Sequence, residues 1–204
     1  VIVDAAAELP PRANLSKFHK MGADMVAFSG GKGIGGPQSS GLLAGKADLV
    51  EAAVMNSLNL DSSVAGIGRP MKVSKENIVG LVTAIQLFTD SDEAAEWEGW
   101  QLKAQYVAER LQGIDGVHVK VEDDPAERQG PQPVLYFEND FQGPTILEIK
   151  DQLENGDPAI FVGGVCSRNN HSSERAEINI VMVNVQDGEE ILIADRMNEI
   201  LRNS

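Results

Sequence analysis

Phe28-Ser-Gly-Gly-Lys-Gly-Ile-Gly-Gly-Pro-Gln38 follows directly on the apolar run Ala23-Asp-Met-Val-Ala-Phe28, so a lone lysine sits among glycines just past a predicted strand. Glycines on both sides of Lys32 let backbone approach a ligand closely and keep bulk away from the amine. Working outward, Val1-Ile-Val is a short β-branched run closed by Asp4, and Ala13 to Met21 reads as a helix with Asn14 available as a cap. Ser40 to Gly45 reads as a third strand and Lys46 to Asn56 as a helix. Strand, helix, strand, loop, strand, helix is an α/β layer pattern. Ligands in open α/β sheets bind beyond the C-terminal ends of strands, where Asp4 and Lys32 both lie. If the first two strands are parallel, the acid and the amine share one edge of the sheet.

Spacing alone leaves alternatives open. A glycine-rich anion loop with a phosphate-binding lysine is one. The Walker pattern fits badly, because Gly33 follows Lys32 in place of Ser or Thr and Val26 stands where the first glycine belongs. A Gly-x-Gly-x-x-Gly spacing occurs as Gly31, Gly33 and Gly36, but the dinucleotide-binding reading wants that motif to open a helix after the first strand.

From Ser57 to Arg69 the chain is rich in Ser, Gly and Asn, which predicts irregular structure. A helix is predicted from Ser74, its cap, to Thr89, with Ile78, Leu81, Val82, Ile85 and Phe88 at helical steps. Another runs from Asp92 to Leu111, with Trp97, Trp100, Ala104, Val107 and Leu111 on one side. Beyond the Asp115-Gly116 turn, strands are predicted at 118–122, 133–138, 159–162 and 177–183, with a polar loop from Asp123 to Gln132. Helices are predicted at 145–153 and 189–202. That second part reads as a small α+β domain over a mostly antiparallel sheet, with the boundary near residue 90.

The 204 residues are 42% hydrophobic, enough for one or two domains with real cores. No apolar run approaches the roughly 20 residues of a membrane span. The opening Val1-Ile-Val-Asp4 has no basic leader, and one cysteine, Cys166, fits a reducing cytoplasm. Cys166 reads as a small buried hydrophobe before it reads as a nucleophile. Thirty-one acidic against 17 basic residues give a net charge of -14, with the densest clusters at 90–93 and 122–124. A nucleic-acid binder needs a basic face, so this chain alone is a poor candidate. No His, Cys or Asp cluster has metal-ligand spacing, and no metal is expected. His19 falls on a helix surface, and His118 opens a strand with no evident partner.

Two stretches together resemble one family. Val3-Asp-Ala-Ala-Ala-Glu-Leu-Pro-Pro11 and Phe28 to Gly41 resemble the selenocysteine-synthase-related branch of fold-type-I enzymes that use pyridoxal 5'-phosphate (PLP). Within it they are most similar to the D-glucosaminate-6-phosphate ammonia-lyase subgroup. Gly68-Arg-Pro-Met-Lys-Val-Ser-Lys-Glu76 resembles a third segment of the branch. The likeness is strong over about residues 1–90. It implies an α/β fold: the C-terminal part of an aspartate-aminotransferase-like large domain at 1–90, then a small α+β domain at 91–204. An acid beside a ring nitrogen and a lysine at an aldehyde are what a PLP site requires.

By position, the resemblance gives Asp4 the pyridine nitrogen, Ala6 the ring face, and Lys32 the Schiff-base and general-base roles. Ser29 reaches the cofactor phosphate or the lysine, and Gln38 shapes the loop or meets a partner subunit. Arg69 is either a carboxylate- or phosphate-binding residue or a surface arginine flanking a helix. Arg168 and Arg175 are further carboxylate candidates. Cys166-Ser-Arg-Asn-Asn-His171 is a polar loop, read first as an exposed connection.

The implied activity is α,β-elimination from a hydroxylated, sugar-derived amino acid with or without a phosphate, giving a 2-keto acid and ammonia. The alternatives are a selenocysteine-synthase-like transferase on seryl-tRNA and a non-catalytic subunit that retains the fold. The resemblance also implies a cytoplasmic homodimer or higher oligomer, and a site completed by an N-terminal portion of a longer chain or by a partner chain.

Overall fold

The strand ending in Asp4 and the strand leading into the lysine loop pair in parallel, with a helix as the crossover between them. The computed structural model describes residues 1–57, 66–124, 130–138, 140–163 and 177–202. It divides into two compact units, Val1–Glu93 and Ala94–Ser204.

In the first unit, β1 (Ile2–Asp4) aligns with β2 (Met25–Ser29) so that Asp4 lies opposite Ala27. The crossover is α1 (Asn14–Lys20). The chain then reverses through residues 30–40 and returns as β3 (Gly41–Gly45), antiparallel to β2 from Ser29↔Gly41 to Met25↔Gly45. Lys46 pairs with Asp24 at 2.5 Å and holds the far end of this ribbon, away from the glycine loop. That hydrogen bond foremost, with the Val1 amine adding to it, lowers the Asp24 carboxyl to about 2. After α2 (Ala47–Asn56) and a 3-10 turn at Arg69–Met71 comes α3 (Lys75–Asp90). Its Ser74 cap accepts from the Asn77 N–H at 3.2 Å, as the sequence predicts.

Pleating sends alternate side chains to opposite faces. Val26 and Phe28 of β2 are buried, packed with Ala5, Leu9, Ile34, Leu81 and Ala84. The opposite face carries Ile2, Asp4, Met25, Ala27, Ser29 and Leu43, and each is half-buried or exposed. Helix α3 differs from its expected seam: Leu81 and Ala84 are buried, whereas Ile78 and Val82 are more than half exposed. The helix is apolar nearly all round, so periodicity alone did not single out the packed side.

The second unit opens with α4 (Glu93–Arg110), which buries Ala104, Val107 and Ala108. Its sheet is antiparallel, in the order β4 (Val117–Glu122), β5 (Gln132–Phe137), β6 (Glu177–Asn179). Helix α5 (Ile146–Glu154) starts at a complete capping box between Thr145 and Glu148, and α6 (Glu189–Arg202) closes the chain. Leu135, Ile149, Leu153, Ile178, Met182 and Met197 form the centre of a large core.

Three expectations are corrected here. The predicted strand at 159–162 is absent; the Ile160 N–H instead bonds the Leu153 carbonyl at 2.9 Å, which ties the segment to the end of α5. The predicted strand at 177–183 keeps ladder pairing only over Glu177–Asn179, then turns as a 3-10 segment at Met182–Asn184. Ile178, Ile180 and Met182 are nevertheless all buried, so the alternation recorded burial rather than strand pairing. His118 has a partner, because its Nε2 lies 2.6 Å from Glu138 Oε1 near the paired ends of β4 and β5.

Candidate active site

Parallel pairing places the end of β1 and the end of β2 at one edge of the sheet. Asp4 is the last residue of β1, Ser29 the last of β2, and Lys32 follows three residues on. The ladder continues one step past Asp4, where the Ala5 N–H donates to the Ala27 carbonyl at 2.8 Å. Because Asp4 faces Ala27 and Ser29 lies two residues further, Asp4 and Ser29 share the uncovered face. Asp4 Oδ1 accepts from the Ala6 N–H at 3.0 Å, which fixes the carboxylate and leaves Oδ2 for another group. Ala6 is half-buried beside it, and Lys32 is exposed. No described residue forms an ion pair or hydrogen bond with the Lys32 amine.

The loop that presents Lys32 is tightly built. Gly30 N–H donates to the Ser40 carbonyl at 2.9 Å, Gly36 N–H to the Gly30 carbonyl at 2.7 Å, and Gly35 N–H to the Lys32 carbonyl at 2.8 Å. Gly35 adopts φ of 73°, a conformation that costs other residues strain. Gly33 is required for a different reason: a Cβ there would lie 2.2 Å from the Leu9 carbonyl oxygen. That contact joins the two motif stretches, since Leu9 belongs to the Asp4-to-Pro11 segment and Gly33 follows Lys32 directly. Ile34 is buried below and anchors the loop in the core.

Two residues that hold this arrangement were given no such part in the sequence. Asn14, expected as the cap of α1, is instead its first residue and makes no capping bond; it is buried, and its Nδ2 donates to the Glu8 carbonyl at 2.7 Å, bracing the segment that meets Gly33. Arg12 donates to the Ser91 carbonyl at 2.8 Å and to Ser91 Oγ at 2.9 Å, with its guanidinium 5.6 Å from the centre of the Phe88 ring. It ties the end of the same segment to the end of α3. Neither residue stands in a recognisable motif; the signal available was a polar residue within an otherwise packing segment.

The other expected residues are placed as follows. Gln38 donates from Nε2 to the Gly31 carbonyl at 3.0 Å, within the loop. Arg69 is exposed on the 3-10 turn, and no described residue binds its guanidinium. Arg168 and Arg175, with Cys166 and His171, lie outside the described residues. His19 is half-buried, with Nδ1 3.3 Å from the Ala23 carbonyl, rather than free on the surface. Among the described residues, no group of three or more His, Cys, Asp or Glu could hold a metal ion. Among them, too, no helix is long and apolar enough to cross a membrane.

The chain is similar to known proteins. The family model for aminotransferase class-V matches residues 1–166. The chain belongs to that family, whose members are PLP-dependent enzymes. It is 32% identical over 162 residues to the 5'-C-glycyluridine monooxygenase-decarboxylase of a Streptomyces species, covering 79% of this chain and 38% of that protein. It is 28% identical over all 204 residues to the D-glucosaminate-6-phosphate ammonia lyase of Salmonella typhimurium, covering 49% of that protein. Over 90 residues, 44% of this chain and 17% of the relative, it is 34% identical to the L-seryl-tRNA(Sec) selenium transferase of Solidesulfovibrio magneticus. A solved D-glucosaminate-6-phosphate ammonia-lyase superposes with a TM-score of 0.66 at 28% identity, covering 99% of this chain and 49% of that one. The chain thus spans less than half the length of each of these relatives.

The residues present fit the family's cofactor. Asp4 offers a fixed carboxylate, Lys32 offers an amine that no described residue engages, and Gly30, Gly31 and Gly33 leave no side chain between them and their neighbours.

Proposed function

We propose that this chain is the C-terminal part of a PLP-dependent lyase, with residues 1–90 in the cofactor-binding large domain and 91–204 as a small C-terminal domain. The observation that carries the reading is the parallel register of β1 and β2, which brings Asp4 and the Lys32 loop to one edge, joined by the Leu9–Gly33 contact. PLP, when bound, supplies an electron sink for negative charge developing at the substrate Cα. Asp4 holds a proton at the pyridine nitrogen, with its carboxylate oriented by the Ala6 N–H. Lys32 would hold the cofactor at its aldehyde, and its amine would take the proton from the substrate Cα. Its place among glycines lets the side chain swing between these tasks. Ser29 contributes a hydroxyl from the same face as Asp4.

The proposed reaction is α,β-elimination from a hydroxylated, sugar-derived amino acid with or without a phosphate. Lys32 removes the Cα proton, the bond from Cβ to its hydroxyl breaks with loss of water, and the enamine product hydrolyses to a 2-keto acid and ammonia. Arg69, Arg168 and Arg175 are proposed for the substrate carboxylate or phosphate. The alignment with the ammonia lyase over all 204 residues of this chain supports this choice. A small-molecule substrate, a cytoplasmic location and a homo-oligomer belong to the same proposal. So does a remaining part of the site, supplied by a further portion of the chain or by a partner; the uncovered sheet face favours it, because sheets of this class are covered on both sides.

The second reading is transfer to seryl-tRNA, favoured by the match over 90 residues to a selenium transferase. The -14 charge argues against it, since tRNA binding needs basic surface. A non-catalytic subunit is disfavoured by the presence of both Asp4 and Lys32. The test is a coupled 2-keto acid assay on β-hydroxy amino acids, beside a tRNA gel shift at low salt. Keto acid without tRNA retardation is expected; retardation without keto acid would replace the first reading with the second.

A further inference from the structure

Gln38 is exposed, so its place in the molecule is not explained by burial. Its side chain nevertheless turns back to the loop, with Nε2 donating to the Gly31 carbonyl at 3.0 Å. That carbonyl belongs to the peptide whose nitrogen is Lys32. The fit is close: a Cβ on Gly31 would lie 2.5 Å from Gln38 Cα and 2.7 Å from Gln38 Oε1. The residue before Gln38 is itself held on two sides. Ser40 Oγ donates to the Pro37 carbonyl at 2.5 Å, and Pro37 packs on Gly80 of α3, where a Cβ would meet its ring carbon at 2.8 Å.

A continuous chain of contacts therefore runs from α3 through Pro37 and Gln38 to the peptide preceding Lys32. On the other side of the lysine, Gly33 abuts the Leu9 carbonyl. Lys32 is thus gripped at the residue before it and the residue after it, while no described residue engages its amine.

We infer that Gln38 is a positioning residue for Lys32: its amide N–H, anchored through Pro37 on α3, fixes the Gly31 carbonyl and with it the direction in which the lysine leaves the loop. This rests on the reading of Lys32 as the cofactor-anchoring lysine. Placement of a reacting group to within a fraction of an ångström governs the rate of its reaction. The side chain need only donate one hydrogen bond, so a variant of the same shape without the donor isolates the effect.

The experiment uses the protein expressed from its complete reading frame, with Gln38→Met, which keeps length but lacks the donor, and Gln38→Glu, whose carboxylate repels the Gly31 carbonyl. Covalent attachment of PLP to Lys32 is followed by borohydride trapping and peptide mass spectrometry over a range of cofactor concentrations. Amide exchange of residues 31–35 is measured in the cofactor-free protein. Gln38→Met should slow trapping at saturating cofactor by about three- to tenfold, the size of one neutral hydrogen bond. The half-saturating concentration should change less than about twofold and the thermal midpoint should hold, with Gln38→Glu slower still. Exchange at residues 31–35 should speed up in the same order.

Trapping by Gln38→Met at the unaltered rate overturns the inference and leaves the lysine reading intact. A thermal midpoint falling along with trapping in both variants also overturns it, making Gln38 a folding residue. Absence of a Lys32 adduct in the unaltered protein overturns this inference and the proposed function together.

Discussion

The two units treat their apolar residues differently. In the second unit, strands β4 to β6 and helices α4 to α6 enclose a core whose central side chains, among them Leu135, Leu153 and Met197, are fully buried. In the first, the sheet is packed on one face only, and α3 turns Ile78, Val79, Val82 and Leu87 outward, each more than half exposed. Among the described residues such exposed apolar side chains are more numerous in the first unit, although Leu102, Leu147 and Phe161 of the second are exposed as well. The unit bearing Lys32 therefore holds its motif through its own contacts while much of its apolar surface stays open, whereas the second unit puts more of its apolar side chains into one core.

The strongest way to break this contrast is a matched pair of truncations. Leu153→Ala, inside the second core, should cost about 2–5 kcal/mol in chemical denaturation, by lost burial and a cavity. Val82→Ala on α3 should change the stability of the isolated 204-residue chain by no more than about 0.5 kcal/mol. Equal costs would mean that α3 is already packed on both sides.

The next test sharpens the local rigidity claimed for the first unit. Gly33→Ala forces a Cβ against the Leu9 carbonyl, a backbone atom with little room to move. A loss of about 1–3 kcal/mol is expected from overpacking, with slower PLP attachment at Lys32. Gly99→Ala, where a Cβ meets nothing, is the control.

A smaller effect compares helix starts. Ser74→Ala in the first unit and Thr145→Ala in the second each remove a side-chain cap and should each cost about 1 kcal/mol in thermal denaturation. Thr145 also loses the reciprocal capping box, so its cost should be the larger of the two. The smallest effect is electrostatic. The Asp24 carboxyl lies below its ordinary value of 3.8, at about 2, chiefly through Lys46. A depressed carboxyl contributes stability that is present above pH 3.8 and lost as pH falls toward 2. Lys46→Gln should flatten that part of an acid titration of the unfolding midpoint: its small deficit against the unaltered protein is present at neutral pH and disappears as pH falls toward 2.

Much of the motif unit was readable in the sequence because its constraints are local. A lysine among glycines, an acid closing a β-branched run and Ser74 ahead of an apolar helix each declare themselves within a few residues. Of the contacts that hold the motif, Leu9 against Gly33 and Arg12 on Ser91 join distant positions, and Asn14 reaches back six residues to the Glu8 carbonyl. Nothing in a linear pattern pairs those positions. In α3 the apolar residues recur on every side, so Ile78 and Val82 looked like seam residues and are not. From Ile178 to Met182 the alternation correctly marked buried side chains, but a 3-10 turn ended the strand. Arg168 and Arg175, assigned to the substrate carboxylate from the resemblance, lie outside the described residues.

The central claim is that Lys32 anchors PLP, and one measurement addresses it directly. The protein, expressed from its complete reading frame and incubated with PLP, is reduced with borohydride, digested and analysed by peptide mass spectrometry, in parallel with Lys32→Ala. The account predicts a phosphopyridoxyl adduct on the peptide containing Lys32 and its loss, with the cofactor's visible absorbance, in Lys32→Ala. An adduct on another lysine, or absorbance that persists in Lys32→Ala, would contradict it.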